Sequence, residues 1–476
     1  MGVKQTLAEY FDVEDHGSTV RTELLAGLTT FLTMSYIVVV NPAILSAAIS
    51  IEGISPGRLK AMLAVVTIIS AATATLVMAL YANRPFGQAP GLGLNAFFAF
   101  TVVLTLGVPW QTALAAVVVE GLLFIGLTAI GAREYVIRLF PEPVKRAVGS
   151  GIGLFLAIIG FQAMRLVASD PTTFVTFSPV FAKDPVALLS VVGLFLTFGL
   201  YARGVKGSVV IGILTTTALG YAASALGYVA FPAEEAGGAI VSASLTGTTQ
   251  TYSLAAYDIT PLAGAFIDGF ANVDAFTFSL IVFTFFFVDF FDTAGTLVGV
   301  GQVAGFLDEE GNLPDIDQPL MADAVGTTVG GILGTSTVTT FIESATGVEE
   351  GGRTGLTALT VAGLFLLSLA FVPLAAGIPS YASHLALVVI GIMMLGNAVE
   401  VEWDDVTNAI PAGMTILVMP FTFSIAYGIA AGIVSYPIVK VAAGERKDVH
   451  LGQWILAVAF VLYFFVRTSG VLQGQL

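Results

Sequence analysis

Apolar positions in this chain neither alternate nor keep to one face of a helix. They run together in blocks about as long as the ~20 residues a transmembrane helix requires. Such blocks occur at 22–41, 61–81, 109–130, 147–168, 185–202, 208–231, 275–301, 355–373, 380–397, 409–425 and 426–443. Two further stretches, 88–105 and 335–350, are interrupted by Gly, Thr and other polar residues and read as half-length spans, while 320–334 is Gly-rich and moderately apolar. Together they predict an all-α polytopic membrane protein of about fourteen spans. A last apolar segment, 453–466, either crosses the bilayer or lies flat in its interface. An outer-membrane barrel is excluded, because its strands alternate apolar and polar residues over segments of about ten.

Composition agrees. A soluble chain of 476 residues would make about three domains, but charged residues are 11% here and hydrophobic ones 56%, against ~25% charged in an average soluble protein. The mean hydropathy of +0.91 also excludes disorder. With no Cys there is no disulfide, thiolate metal site or Cys nucleophile, and His16, His384 and His450 are too scattered for a zinc or haem site. No metal or cofactor is expected. A net charge of −15 argues against nucleic acid as a partner and fits a high-salt source as well as an ordinary acidic protein. The acidic N-terminus (Glu9, Asp12, Glu14, Asp15) and the long first apolar run argue against a cleaved signal.

Placing the N-terminus in the cytoplasm puts thirteen Lys and Arg on the inner side, Arg133 and Arg138 among them. It leaves Arg58, Lys60, Arg165 and Lys183 outside, with Arg467 ending the last segment. That asymmetry is the one expected of a plasma-membrane protein. Trp110, Trp403 and Trp454 fall at span ends, where an indole prefers the interface. The expected organisation is a cytoplasmic segment 1–20, a seven-span repeat 21–235, an extracellular loop 236–272, a second seven-span repeat 273–445 and an apolar C-terminal segment 446–476. Seven is odd, so the second repeat enters the membrane inverted. The broken span is third in each half: Asn95 lies 74 residues after Arg21, and Glu343 lies 68 after Ala275. Broken spans at matching positions of two inverted halves point to a midplane binding site in a secondary transporter.

In the first broken span, Pro90 removes a backbone donor and Gly87, Gly91 and Gly93 weaken any helix. This predicts an extended piece leading into a half-helix near Leu94, whose N-terminal amides carry partial positive charge. Asn95 can donate and accept hydrogen bonds there; the glycines alone would equally serve close helix packing. In the second, five of the six residues Thr335-Ser336-Thr337-Val338-Thr339-Thr340 carry hydroxyls and favour a short strand, tolerated at membrane depth only where buried or lining a cavity. Glu343 follows, and an ionisable group there is a functional candidate by default; otherwise it is a boundary residue in a loop. Asp289 and Asp292, three apart on the Phe-rich span 275–301, share a helix face. Paired carboxylates suit a proton carrier, although a Na⁺ site would use carboxylates with Thr hydroxyls and carbonyls, and either Asp could instead brace a half-helix. Glu120, within the fourth span, has no firm role. Asp308-Glu309-Glu310, Asp315, Asp317 and the group Glu400, Glu402, Asp404, Asp405 read as solvated turns, and Arg353 as part of the inner positive charge. With neither Cys nor His in the broken spans there is no nucleophile–base pair, so no enzyme is expected.

Four motifs in order, TTFLTMSYI (29–37) followed by Asn41-Pro42, APGLGLNAFFAF (89–100), VDFFDTAGT (288–296) and GTSTVTTFIESATGV (334–348), resemble the AzgA-like purine permeases. That branch belongs to the nucleobase–cation symporter group that includes the uracil and xanthine permeases. The resemblance covers about residues 8–470. It implies fourteen spans in two inverted repeats, a core and a gate domain, short strands in spans three and ten, a homodimer, and import of adenine, guanine or hypoxanthine with protons. It also implies a substrate site of Asn95, Ala96, Phe97, Thr340, Phe341 and Glu343, and proton coupling through Asp289, Asp292 and Glu343. The acidic loops depart from typical bacterial members, which leaves both H⁺ and Na⁺ open as the coupling ion. A uracil or xanthine carrier, or a small-anion carrier of the same architecture, is the alternative; three intramembrane acids disfavour the anion.

Overall fold

The computed structural model describes residues 3–131, 140–230, 240, 254–271, 275–308 and 313–468. Arg133, Arg138, Glu309, Glu310 and much of the expected loop 236–272 lie outside the described residues. Two compact units emerge, one of Met1–Thr128 with Ile159–Val389 and one of Ala129–Ile158 with Ile390–Leu476.

In the first unit the chain forms α1 (Val20–Met34), α2 (Ile37–Leu45), α3 (Pro56–Val77), strand β1 (Gln88–Pro90), the short helix α4 (Leu92–Ala96) continuing as a π-helix over Phe97–Thr105, and α5 (Trp110–Ala129). It continues with α6 (Pro185–Ala202), α7 (Ser208–Ala225), α8 (Ala275–Ala304), α9 (Asp317–Leu333), β2 (Val338–Thr340), α10 (Ser344–Glu349) and α11 (Gly355–Ser368). Helix starts follow capping chemistry. Ser55 accepts from the Arg58 amide with Pro56 in the first turn, and Asp184 accepts from the Val186 amide at 3.0 Å ahead of Pro185. At the start of α11 the fully buried Glu23 of α1 accepts from the Arg353 amide (3.0 Å), the Thr354 amide (3.3 Å) and the Thr357 hydroxyl (2.6 Å). A carboxylate at a helix N-terminus meets both the orphan donors and the dipole. The Arg353 side chain turns to the carbonyls of Val348 and Gly352. Helix α9 ends at Gly334, whose φ of +104° is a conformation side-chain-bearing residues avoid.

Helices α6 and α7 pack through a reciprocal pair of small residues. Thr197 bonds back to the Gly193 carbonyl while its hydroxyl lies against Gly212; Thr216 bonds back to the Gly212 carbonyl and lies against Gly193. Their outer faces keep Leu188, Val192, Phe195 and Leu214 exposed, the apolar surface a bilayer covers.

The two interrupted segments pair with each other. Strands β1 and β2 are antiparallel, with Gln88 opposite Thr340, Ala89 opposite Thr339 and Pro90 opposite Val338. Hydrogen bonds from the Gly91 amide to the Thr337 carbonyl and from the Phe341 amide to the Gly87 carbonyl, both 3.0 Å, extend the ladder at either end. This ribbon is where the sequence expected short strands.

In the second unit, α12 (Val406–Thr422) and α13 (Ile425–Ala442) pack closely where Gly428 and Gly432 receive Met419 and Thr415, and α14 (Leu451–Thr468) lies on α13 with Tyr427 and Phe464 rings 5.3 Å apart. Asp405 caps α12 by accepting from the Thr407 amide and hydroxyl, each at 2.8 Å. The Thr407 hydroxyl, then its amide, hold this carboxyl below its usual range. The C-terminal apolar segment is thus a helix.

The expected count of fourteen meets a different census. Among the described residues ten helices are long and apolar enough to cross a membrane, and Leu92–Thr105, Val406–Thr422 and Leu451–Leu462 are shorter apolar helices. The four expected spans outside the ten are 88–105 and 409–425, which fall on shorter apolar helices, 320–334, which belongs to the 17-residue α9, and 335–350, which holds a three-residue strand and a six-residue helix.

Candidate functional site

The broken segments converge because the backbone that leaves helix geometry finds its partners in the other break. Around the ribbon, polar side chains from several helices hold it. Thr75 of α3 donates to the Gln88 carbonyl and accepts from the Gln88 amide, both at 3.0 Å. Thr327 of α9 does the same for Val338, at 3.0 and 3.1 Å. The Gln88 amide group donates to Thr340 Oγ1 at 3.1 Å, and Asn41 of α2 donates to Thr67 (2.7 Å) and Thr335 (2.9 Å).

Asn95 is fully buried on α4. Its side chain donates to the Pro90 carbonyl at 3.3 Å and accepts from the Ser336 hydroxyl, so it ties the first half-helix to the second broken segment. Ala96 and Phe97 are buried beside it, and Phe97 packs edge-on against Phe285 of α8 with centroids 4.8 Å apart. Glu343 immediately precedes α10 and is 8% exposed. Its Oε1 accepts from the Tyr36 hydroxyl at 2.6 Å, a charge-assisted length. Tyr36 stands at the break between α1 and α2 and is itself buried, with its ring 6.4 Å from that of Phe341. The Gly87 amide donates to Ser344 Oγ at 3.0 Å, and Thr33 meets Thr346 at 3.1 Å. The neighbourhood therefore gathers carboxylate, phenol, amide and aromatic groups within an apolar interior, a set able to hydrogen-bond the edge of a planar polar molecule.

The two aspartates expected to act as a pair have different surroundings. Asp292 is half-buried and within electrostatic range of Glu343. Asp289 is fully buried and faces two further acids, Glu120 of α5 and Asp323 of α9. Thr337, on the approach to β2, donates to Glu120 Oε2 at 3.3 Å. Sequence reasoning left Glu120 without a role and passed over Asp323 and Tyr36. Asp323 had a signal: a lone carboxylate in a Gly-rich apolar helix. Tyr36 had none beyond its place in a Thr-rich span.

A cavity of about 540 Å³ opens elsewhere in the first unit, lined by Ser46, Ser50, Lys60, Phe100, Gln162 and His384 among others. None of Asn95, Ala96, Phe97, Asp289, Asp292, Thr340, Phe341 and Glu343 is among its lining residues.

Comparison with known proteins gives a consistent picture. The Xan_ur_permease family model, described as "Permease family", matches residues 21–431. MJ0326 of Methanocaldococcus jannaschii is 44% identical over 468 residues, covering 98% of this chain and 100% of its own. The adenine permease AdeP of Escherichia coli K12 is 38% identical (96% of this chain, 95% of its own), and the guanine/hypoxanthine permease PbuO of Bacillus subtilis 168 is 37% identical (96% and 99%). Among solved structures, the transmembrane domain of the cyanobacterial bicarbonate transporter BicA aligns with a TM-score of 0.54 at 15% identity, covering 87% of this chain and 97% of that one. That likeness concerns the fold.

Proposed function

The chain belongs to the Xan_ur_permease permease family, which makes it a multi-pass membrane transporter rather than an enzyme, and on that premise we propose that it carries purine nucleobases across the cell membrane together with protons. Adenine, guanine and hypoxanthine are the candidate substrates, after the named activities of AdeP and PbuO. The observation that carries the reading is the Tyr36–Glu343 pair beside the β1–β2 ribbon. A buried carboxylate oriented by a phenol accepts hydrogen bonds from ring N–H groups, and an amide such as Asn95 with neighbouring backbone amides reads the acceptors of the same base. In this mechanism Glu343, Asn95, Thr340 and Phe341 line the substrate position, with Ala96 and Phe97 behind them. Asp289, Asp292 and Glu343 carry the coupling proton, and the site opens alternately to the two sides.

The matched use of Thr75 and Thr327 on the two strands supports two inverted repeats, 21–235 and 273–445, joined by the loop 236–272. The Lys and Arg distribution supports a cytoplasmic N-terminus, segment 1–20. The core-and-gate division, the separate C-terminal segment 446–476 and a homodimer in the plasma membrane complete the proposal.

The test is uptake of labelled adenine, guanine, hypoxanthine, xanthine and uracil into proteoliposomes, with an imposed H⁺ or Na⁺ gradient and with Glu343→Gln in parallel. Saturable purine uptake that collapses with the proton gradient, and is lost in the variant, is the expected result. Folded protein that takes up no base would refute the reading. Uptake untouched by Glu343→Gln would remove that residue from the site.

A further inference from the structure

Glu120, Asp289 and Asp323 come from three helices, α5, α8 and α9, and each is fully buried. Their polar neighbours are few. Thr337 donates to Glu120 Oε2. The Thr293 hydroxyl stands 3.0 Å from Asp323 Oδ1 and 3.5 Å from Asp289 Oδ1. Among the described residues no donor reaches Glu120 Oε1, Asp289 Oδ2 or Asp323 Oδ2. An unsatisfied buried carboxylate oxygen is costly, and three in one place call for a donor.

The carboxyl groups act on one another: Asp289 lies within electrostatic range of both Glu120 and Asp323. Ionised carboxylates only accept, so a hydrogen bond between two of them exists only when one carries a proton. Thr293 has a single hydroxyl proton to share between Asp323 at 3.0 Å and Asp289 at 3.5 Å, so it cannot fully satisfy two ionised carboxylates. Among the described residues, the charged groups acting on the three are each other and Asp292, which in turn faces Glu343; no Lys, Arg or His of those residues is among them. Without a cationic side chain among these groups, a bound proton is the simplest means of lowering their mutual repulsion.

We propose that Glu120, Asp289 and Asp323 form a shared-proton cluster that stores the coupling proton apart from the candidate substrate carboxylate Glu343. Glu120 is linked to the β2 segment through Thr337, and Asp289 to Glu343 through Asp292. The cluster is thus tied to the β2 segment by a hydrogen bond and to Glu343 by the charge of Asp292. Proton storage rests on Glu120 and Asp323 as much as on Asp289.

The proposal deepens the proton-symport reading and rests on it, so its test has a readout that needs no substrate. Infrared spectra of the purified, folded full-length protein at neutral pH should contain the carbonyl stretch of a protonated buried carboxyl group, shifting in heavy water. Glu120→Gln and Asp323→Asn should each remove or move part of that band. In proteoliposomes the same variants should lower proton-driven purine accumulation at least tenfold relative to purine exchange and displace its pH profile. Absence of a protonated-carboxyl band in wild type, or an unchanged band in Glu120→Gln, Asp289→Asn and Asp323→Asn alike, would overturn the cluster. A band that behaves as expected in a protein that takes up no purine would uphold the cluster and remove the function. Should Glu120→Gln fail to fold, Glu120→Asp and Asp323→Asn carry the same comparison.

Discussion

Tyr36→Phe removes one oxygen and leaves a ring of the same shape against Phe341. The lost contact is the 2.6 Å bond to Glu343 Oε1, between groups that are 2% and 8% exposed. A hydrogen bond to a charged group contributes about 1.5–3 kcal/mol, against about 0.5–1.5 for a neutral one. Burial keeps this bond in the upper class, since water cannot replace the phenol. If Tyr36 holds Glu343 in the orientation that receives the substrate, that energy appears in the dissociation constant, which should rise by about one to two decades. The assay is equilibrium binding of the transported base to purified protein. The control is Tyr221→Phe, which loses a neutral bond from its hydroxyl to the Gly377 carbonyl at 2.9 Å; it should cost stability and leave affinity alone. Unchanged affinity in Tyr36→Phe, or equal weakening in both variants, would refute the assignment.

The remaining expectations concern the scaffold. Gly193→Ala inserts a methyl group into the Thr216 side chain and should lower thermal stability by about 1–3 kcal/mol, with Thr216→Ala on the same background restoring most of it; no loss would mean that α6 and α7 do not pack through these residues. Asp405→Ala should cost about 1 kcal/mol as a lost helix cap. Because the folded Asp405 carboxyl titrates below its ordinary value, its contribution is complete above about pH 4 and disappears as pH falls through the folded titration. Asp405→Asn should keep the cap without that pH dependence, and thermal unfolding followed across pH distinguishes the three proteins.

The spans, the two breaks and the strands within them were legible in the sequence because each rests on local chemistry. Pro90 and the flanking glycines cannot be regular helix, and five hydroxyl residues around Val338 do not face lipid. Glu343 and Asn95 were legible as polar residues at those breaks. The pairing of Tyr36 with Glu343 was not, because a Tyr in a Thr-rich span carries no sign of a partner 307 positions away. Spacing put Asp289 and Asp292 on one helix face, yet spacing along one helix says nothing of what the neighbouring helices present. Glu120 and Asp323 divide the two aspartates between different surroundings. The segment 335–350 reads from sequence as an interrupted, half-length span with a short strand, and the structure has there a three-residue strand and a six-residue helix.

The ribbon explains why both halves of the chain are needed for one site. A three-residue antiparallel pair with a Pro in one strand has few ladder bonds of its own, and two isolated strands are marginal even in water. Each strand is therefore fixed by the helix that precedes it, with a single Thr hydroxyl both donating to and accepting from one residue's backbone: Thr75 for Gln88, Thr327 for Val338. Asn95 and Ser336 then tie the first half-helix to the second broken segment, and Asn41 ties the first span to Thr335. Every one of these bonds ends on backbone or side chain that has left helical geometry, where an unmet polar group in an apolar interior would be expensive. Removing the first half would strip Thr335, Thr337 and Phe341 of partners, and removing the second would strip Gly91, Asn95 and the Gln88 side chain of theirs. The two breaks thus satisfy each other's polar groups, and the candidate site beside them draws on both halves.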